Sequence, residues 1–357
     1  MSDLILGIET TCDETSAAVV REGREVLSNV VSSQIDLHAK FGGVVPEVAA
    51  RAHLESLNVI VAEALQRGGI REPARELAGV AVAHCPGLIG CLLVGTAAAK
   101  GFAFGWGVPL IGVNHVQAHL HSVLLEDGSK DQEGKSKKVG GPDEVPAFPT
   151  IGLVMSGGHS SLYHVKSFRE LTRIGQTQDD AVGEAFDKVA AILQLGYPGG
   201  PLIDALAKTG NPRAIKFPAG HLEKDSLNFS FSGLKTAVLY HVNGKKGRER
   251  DASALTPQQK ADVAASFQRT AAEMLIEKLR RAARRYETRS ILIGGGVSAN
   301  TEIRRAVLEL GRELRLPVFI PPMRYCTDNG AMIAGMGWEM LRAGAVAGLD
   351  LETVATV

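Results

Sequence analysis

Two stretches of this chain follow one plan, and few folds are open to a chain that repeats such a unit. Leu4-Ile-Leu-Gly-Ile8 reads as a strand, Glu9 to Thr15 as a polar turn and Ser16-Ala-Ala-Val-Val20 as a returning strand. Ile151-Gly-Leu-Val-Met155, Ser156-Gly-Gly-His-Ser160 and Ser161-Leu-Tyr-His-Val165 repeat the pattern. Aliphatic and β-branched runs favour strands, while small polar residues reverse the chain. Each hairpin leads through helical periods to another apolar strand, Ala78-Gly-Val-Ala-Val-Ala83 in the first half and Ser290-Ile-Leu-Ile293 in the second. A duplication of this kind predicts an α/β protein of two related lobes. The cleft between such lobes is where a ligand is expected.

The halves are bounded at 1–126 and 148–327. Between them lies a segment, 127–147, rich in Gly, Lys, Asp, Glu and Ser. It has too little apolar surface to offset its ordering entropy and reads as a flexible insertion. Residues 328–357 form a closing segment, with a helix from Asn329 to Arg342 returning toward the first lobe. At 357 residues and 45% hydrophobic, the chain is long enough for two cores. Lys+Arg 39 against Asp+Glu 39 argues against a protein coated in nucleic acid. Local basic runs remain as candidate nucleic-acid contacts: Lys278–Arg285, also readable as a solvated helix face, and Lys245–Arg248, which reads as a loop. Cys12, Cys85, Cys91 and Cys326 form no C-x-x-C pair and read as reduced thiols. The apolar window Leu88–Trp106 is broken by Lys100 and glycines, and no basic leader precedes the first strand. The expectation is a cytoplasmic protein without a membrane span.

His115-Val-Gln-Ala-His119 follows the strand Val108–Val113 and should open a helix with both imidazoles on one face. The spacing suits two metal ligands. Val116 stands where a zinc protease has its general-base Glu, so the pair suggests a metal without peptide hydrolysis. Two structural histidines would show the same spacing. Ser156-Gly157-Gly158-His159 and Gly294-Gly-Gly-Val-Ser-Ala-Asn300 each follow a strand, and the second precedes a helix. Both could cradle an anion or be plain turns. Neither fits the P-loop or the dinucleotide fingerprint. Tyr197-Pro-Gly-Gly-Pro201, with Asp187 before it and Asp204 after it, could bind ribose or merely cap helices.

Taken together, these motifs resemble the tRNA N6-adenosine threonylcarbamoyltransferase (TsaD) family, long known as O-sialoglycoprotein endopeptidases. The resemblance runs from Ile5 to about Leu341 and rests on nine segments. Four lie in the first half or just after it: Gly7-Ile-Glu-Thr-Thr-Cys-Asp-Glu-Thr15, Gly42-Gly-Val-Val-Pro-Glu47, Asn114–His119 and Ser156–His159. The others are Asp179–Lys188, Tyr197–Pro201, Phe231-Ser-Gly-Leu-Lys-Thr236, Gly294–Asn300 and Cys326-Thr-Asp-Asn329. The resemblance implies duplicated ribonuclease-H-like lobes of the actin-like, sugar-kinase and Hsp70 superfamily around a nucleotide cleft. It implies transfer of a threonylcarbamoyl group from threonylcarbamoyl-AMP to N6 of adenosine 37 in tRNAs reading ANN codons.

By the same resemblance His115, His119 and Asp328 are metal ligands for one divalent cation, iron(II) first and zinc second. Val154, Met155, Ser156, Gly157, Gly158, Asp187, Gly200, Asp204 and Asn300 are substrate-binding, with N–H groups of Gly157, Gly158 and Gly295 facing phosphate. Asp13 and Glu14 would stand in the first-lobe loop facing the same cleft, the catalytic candidates for a base that takes the N6 proton, or else caps of the turn. TsaB-like and TsaE-like proteins, with tRNA, are the implied partners. The form of 42–47 resembles the bacterial branch. Two departures stand out. The insertion is long, and Cys85-Pro-Gly-Leu88 has Cys where the family has Gly, which would be strained if that position needs a positive φ. An actin-like ATPase or kinase, a metalloprotease and a non-enzymatic module are the rival readings.

Overall fold

The computed structural model describes residues 2–127, 145–219, 225–244 and 251–356. Most of the 127–147 insertion and the Lys245–Arg248 run therefore lie outside the described residues. The chain divides into two compact units, Met1–Val145 with Pro321–Val357, and Pro146–Ile320.

The first unit carries β1 (Leu4–Glu9), β2 (Glu14–Arg21), β3 (Glu25–Ser33), β4 (Gly79–Cys85), β5 (Leu110–Asn114) and β6 (Glu126–Asp127). Its helices are α1 (Ile35–Ala39), α2 (Pro46–Arg67), α3 (Pro73–Glu76), α4 (Ile89–Trp106) and α5 (His115–His121). The second unit carries β7 (Thr150–Met155), β8 (Ser160–Ser167), β9 (Glu170–Gln176), β10 (Ser290–Gly294) and β11 (Val318–Phe319). Its helices are α6 (Val182–Ile192), α7 (Gly199–Ala207), α8 (Ser232–Asn243), α9 (Pro257–Arg285) and α10 (Thr301–Leu314). The last helix, α11 (Gly330–Arg342), belongs to the first unit.

The sheet orders are β5-β4-β1-β2-β3-β6 and β11-β10-β7-β8-β9. They match strand for strand. The hairpins β1–β2 and β2–β3 are antiparallel, as are β7–β8 and β8–β9. The pairs β1–β4 and β4–β5 are parallel, as are β7–β10 and β10–β11. Among the described residues, only β6, added parallel to β3, has no counterpart. Central strands covered on both faces lose the alternating pattern, so Ile5, Leu6 and Ile8 are all fully buried. Each such side chain contributes about 1.5–3 kcal/mol relative to exposure.

Close docking of α11 onto β1 depends on bare backbone. A Cβ on Gly7 would lie 2.2 Å from the Gly330 carbonyl oxygen and 2.4 Å from the Ala334 nitrogen. By this contact the residues just before α11 reach the carboxyl ends of β1 and β5. α4, with 18 residues and mean hydropathy 1.4, is long and apolar enough to cross a membrane by length and composition. In this unit it packs on β4 and α2. Cys85 escapes the strain anticipated for it. It closes β4, and the left-handed non-glycine residues among those described are Glu22, Gln194 and Arg315.

The Lys278–Arg285 run is largely answered by its own neighbours. Arg280 pairs with Glu313 at 2.9 Å and Glu277 at 3.1 Å, and Arg281 pairs with Glu277 at 2.7 Å. Lys278 donates to the Ser226 carbonyl. This favours the reading of a solvated helix face.

Candidate functional site

Strand β5 runs into α5, and Asn114 caps the helix by accepting from the backbone N–H of Val116 and Gln117. The cap fixes where the helix begins and turns His115 and His119 to one face, both buried. Asp328 arrives from the segment before α11, whose start Asn329 caps through Met332 N–H. His119 Nε2 lies 3.1 Å from Asp328 Oδ1, and His115 Nε2 lies 3.6 Å from the same oxygen. One ligand atom from each residue falls within 4.8 Å of the others. Donors bound to one cation at about 2.0–2.2 Å sit roughly 3.0–3.4 Å apart, so this set is close to coordination spacing.

The donor chemistry agrees. Neither ring nitrogen of buried His119 makes an aligned hydrogen bond among the described residues. Burial, reinforced by His115, pulls its pKa below the ordinary value, which keeps a lone pair available. For His115, burial opposes charge, but Glu9 and Asp328 outweigh it and lift the imidazole to about 9. A cation must displace that proton to bind.

Glu9, absent from the residues expected from sequence, completes the arrangement. Fully buried at the end of β1, it takes the His115 Nδ1–H at 2.9 Å and the Thr11 N–H at 2.5 Å. This fixes the ring tautomer and turns Nε2 toward Asp328. The available signal was a carboxylate closing an otherwise apolar strand. Glu9→Ala should weaken metal affinity about 10–100-fold. It should also cost about 1–3 kcal/mol by orphaning the Thr11 N–H. Competition with a chelator and a urea melt measure the two effects; unchanged metal affinity would remove Glu9 from this role.

Asp13 and Glu14 lie at the turn between β1 and β2 in the same unit. Burial first, then the charges of Asp328 and Asp13, push the Glu14 carboxyl up to about 10. Both causes favour the protonated carboxyl over the carboxylate. A divalent cation on Asp328 would offset part of that repulsion. Burial, followed by Asp13 and Asp328, also pushes the Cys12 thiol up, which disfavours a thiolate there.

The second unit gathers the glycine turns. Val154 and Met155 end β7, and Ser156-Gly157-Gly158 follows at its carboxyl edge. The parallel neighbour β10 runs into Gly295, a short 3-10 turn (Gly296–Ala299) and then α10. Gly295 packs against Met155, where a Cβ would come within 2.2 Å of the carbonyl oxygen. The turns are thus adjacent, at the strand ends where open α/β sheets take ligands. A Cβ on Gly157, Gly158 or Gly200 would meet nothing within 4 Å, and none has a positive φ. Neither packing nor backbone conformation calls for glycine there. Bare backbone does let an outside ligand approach closely.

The remaining expected residues have structural bonds as well. Asp187 accepts from Gly199 N–H at 2.7 Å, and Asp204 holds Thr301 through its N–H and hydroxyl. Asn300 caps α10 by accepting from Ile303 N–H, and it donates to Gln268. Asp179 anchors the Phe231–Thr236 motif, accepting from the N–H groups of Phe231 and Ser232 and from the hydroxyls of Ser230 and Ser232.

Residues 25–335 match the family model described as tRNA N6-adenosine threonylcarbamoyltransferase (TsaD). A protein of that name from Anaeromyxobacter dehalogenans is 49% identical over 98% of this chain and 97% of its own length. One from Clostridium beijerinckii is 46% identical over 98% of this chain and 96% of its own. Among solved structures, HypF from T. kodakarensis superposes with TM-score 0.58 at 15% identity, over 95% of this chain and 48% of that one. The (R)-2-hydroxyglutaryl-CoA dehydratase component A of Acidaminococcus fermentans gives TM-score 0.51 at 14% identity, over 96% of this chain and 100% of that one. These two likenesses carry the actin-like fold alone.

Proposed function

The chain belongs to the tRNA N6-adenosine threonylcarbamoyltransferase family, and from that premise we propose that it transfers a threonylcarbamoyl group from threonylcarbamoyl-AMP to N6 of adenosine 37 in tRNAs reading ANN codons. The observation that carries the reading is the convergence of His115, His119 and Asp328 within 4.8 Å in a chain of this family. One divalent cation would be held there. Two imidazoles and a carboxylate suit iron(II), with zinc as the alternative. When bound, it supplies Lewis acidity toward an oxygen of the substrate.

The chain's own groups do the rest. In the reaction the N6–carbon bond forms, the carbon–oxygen bond to phosphate breaks, and AMP leaves with the electron pair. No covalent nucleophile is required, so the work is positioning and charge stabilisation. N–H groups of Gly157, Gly158 and Gly295 would receive the phosphate, with Val154, Met155 and Ser156 lining the same turn. Asp187, Gly200, Asp204 and Asn300 would contact the nucleoside. The N6 proton would fall to Asp13 or Glu14. A TsaB-like and a TsaE-like protein would complete the assembly on tRNA in the cytoplasm.

Val116, buried between the two histidines, offers no general base, which disfavours peptide hydrolysis. The test combines purified protein, its partners, unmodified tRNA and threonylcarbamoyl-AMP, with mass spectrometry of the digested nucleosides. The expected product is adenosine bearing the threonylcarbamoyl mass. Steady ATP turnover with no nucleoside gain would favour the kinase-like alternative instead.

A further inference from the structure

We propose that His53 is a positioning residue for the transfer reaction, holding the turn that presents Asp13 and Glu14. The inference rests on the functional reading above and adds a residue to it. His53 lies on α2 and is fully buried. It ends a chain of side-chain hydrogen bonds whose direction is forced at both ends by backbone groups.

At one end Val45 N–H can only donate, and it donates to His38 Nδ1 at 3.3 Å. His38 must therefore carry its proton on Nε2, which lies 3.1 Å from Gln34 Oε1. That fixes the Gln34 amide, whose Nε2 donates toward His53 Nδ1 at 3.3 Å, beside the Thr15 hydroxyl at 2.7 Å. At the other end the Cys12 carbonyl can only accept, and His53 Nε2 stands 3.0 Å from it. Every bond has one allowed polarity, and His53 is neutral with its proton on Nε2. Burial, which lowers its pKa, acts in the same direction, against the bond to the Cys12 carbonyl and the charges of Glu9 and Asp13. Ser56, one helical turn on, adds a hydrogen bond to the Thr15 hydroxyl, and Gln34 N–H is held by the Asp13 carbonyl.

The chain thus ties the Gly42–Glu47 segment to the Cys12–Thr15 turn. It grips that turn at residue 12, at residue 13 through Gln34, and at residue 15. Two motifs distant in sequence become one mechanical unit, and displacement of the first is transmitted to the two carboxylates.

The decisive comparison is His53→Gln with His53→Leu in the full chain with its partners. Gln places an N–H near the position of Nε2; Leu fills similar space and cannot donate. The expected result is kcat within about threefold of wild type for Gln and lower by about tenfold for Leu, with KM for tRNA unchanged in both. Hydrogen–deuterium exchange, read on the same proteins without substrate, should rise at residues 10–16 in the Leu variant alone. Equal losses in the two variants, or unchanged exchange at 10–16 in His53→Leu, would overturn the inference. If wild type shows no transfer, the functional reading fails, while the exchange data still decide whether His53 holds the turn.

Discussion

Alanine in place of His115 or Asp328 should strip the protein of its bound metal and lower transfer by about three orders of magnitude. Lewis-acid stabilisation is worth several kcal/mol, and each 1.36 kcal/mol is a factor of about ten in rate. The two substitutions differ in what they leave behind. His115→Ala abandons Glu9 in a fully buried position without its imidazole partner, so it should also destabilise the first unit. Asp328 is 18% exposed at its side chain and lies outside α11, so Asp328→Asn preserves shape and tests the donor alone. Metal content by elemental analysis, a thermal melt and a transfer assay separate these effects. A His119→Ala protein that retained one metal per chain and full activity would end the case for this centre. Apart from Asp328 at 3.1 Å, the His119 ring nitrogens have no polar partner among the described residues.

The parts of this architecture that could be read from the chain are those with local causes. The strand–turn–strand repeat predicted both hairpins, and the sheets share one order because the repeat extends through β4 and β10. The His115/His119 face followed from helical spacing once β5 was recognised. What escaped notice depends on tertiary burial. β9, Glu170-Leu-Thr-Arg-Ile-Gly-Gln176, buries only Gly175, so its edge position erases the apolar signal. Glu9 and His53 look like ordinary polar residues in sequence. Burial turns one into the anchor of His115 and the other into the end of a directed hydrogen-bond chain. Asp328 could be assigned by resemblance but not by spacing. Its approach to α5 depends on α11 lying against β1 at Gly7, a contact between segments from opposite ends of the chain.

The glycine turns show why a motif can be legible while its reason is not. Gly157, Gly158 and Gly295 look alike in sequence, yet only Gly295 is demanded by the fold. Its backbone, φ 87° and ψ 161°, falls in a region open essentially to glycine, and a Cβ would press on the Met155 carbonyl. Strain of about 1–3 kcal/mol and overpacking of about 1–3 kcal/mol should together make Gly295→Ala lose about 2–6 kcal/mol. For a unit of this size that is roughly 5–20 °C in Tm. Because β7 and β10 end side by side at this point, the loss should extend to AMP affinity. Gly157→Ala should behave differently, with stability within about 0.5 kcal/mol of wild type because its Cβ points into open space. If that space is where a phosphate approaches the backbone, the same substitution should weaken AMP binding at least tenfold. Calorimetric titration with AMP alongside thermal melts resolves the two glycines. Wild-type AMP affinity in Gly157→Ala would mean that the turn is bare for some reason other than ligand approach, and the phosphate would then have to be sought elsewhere in the second unit.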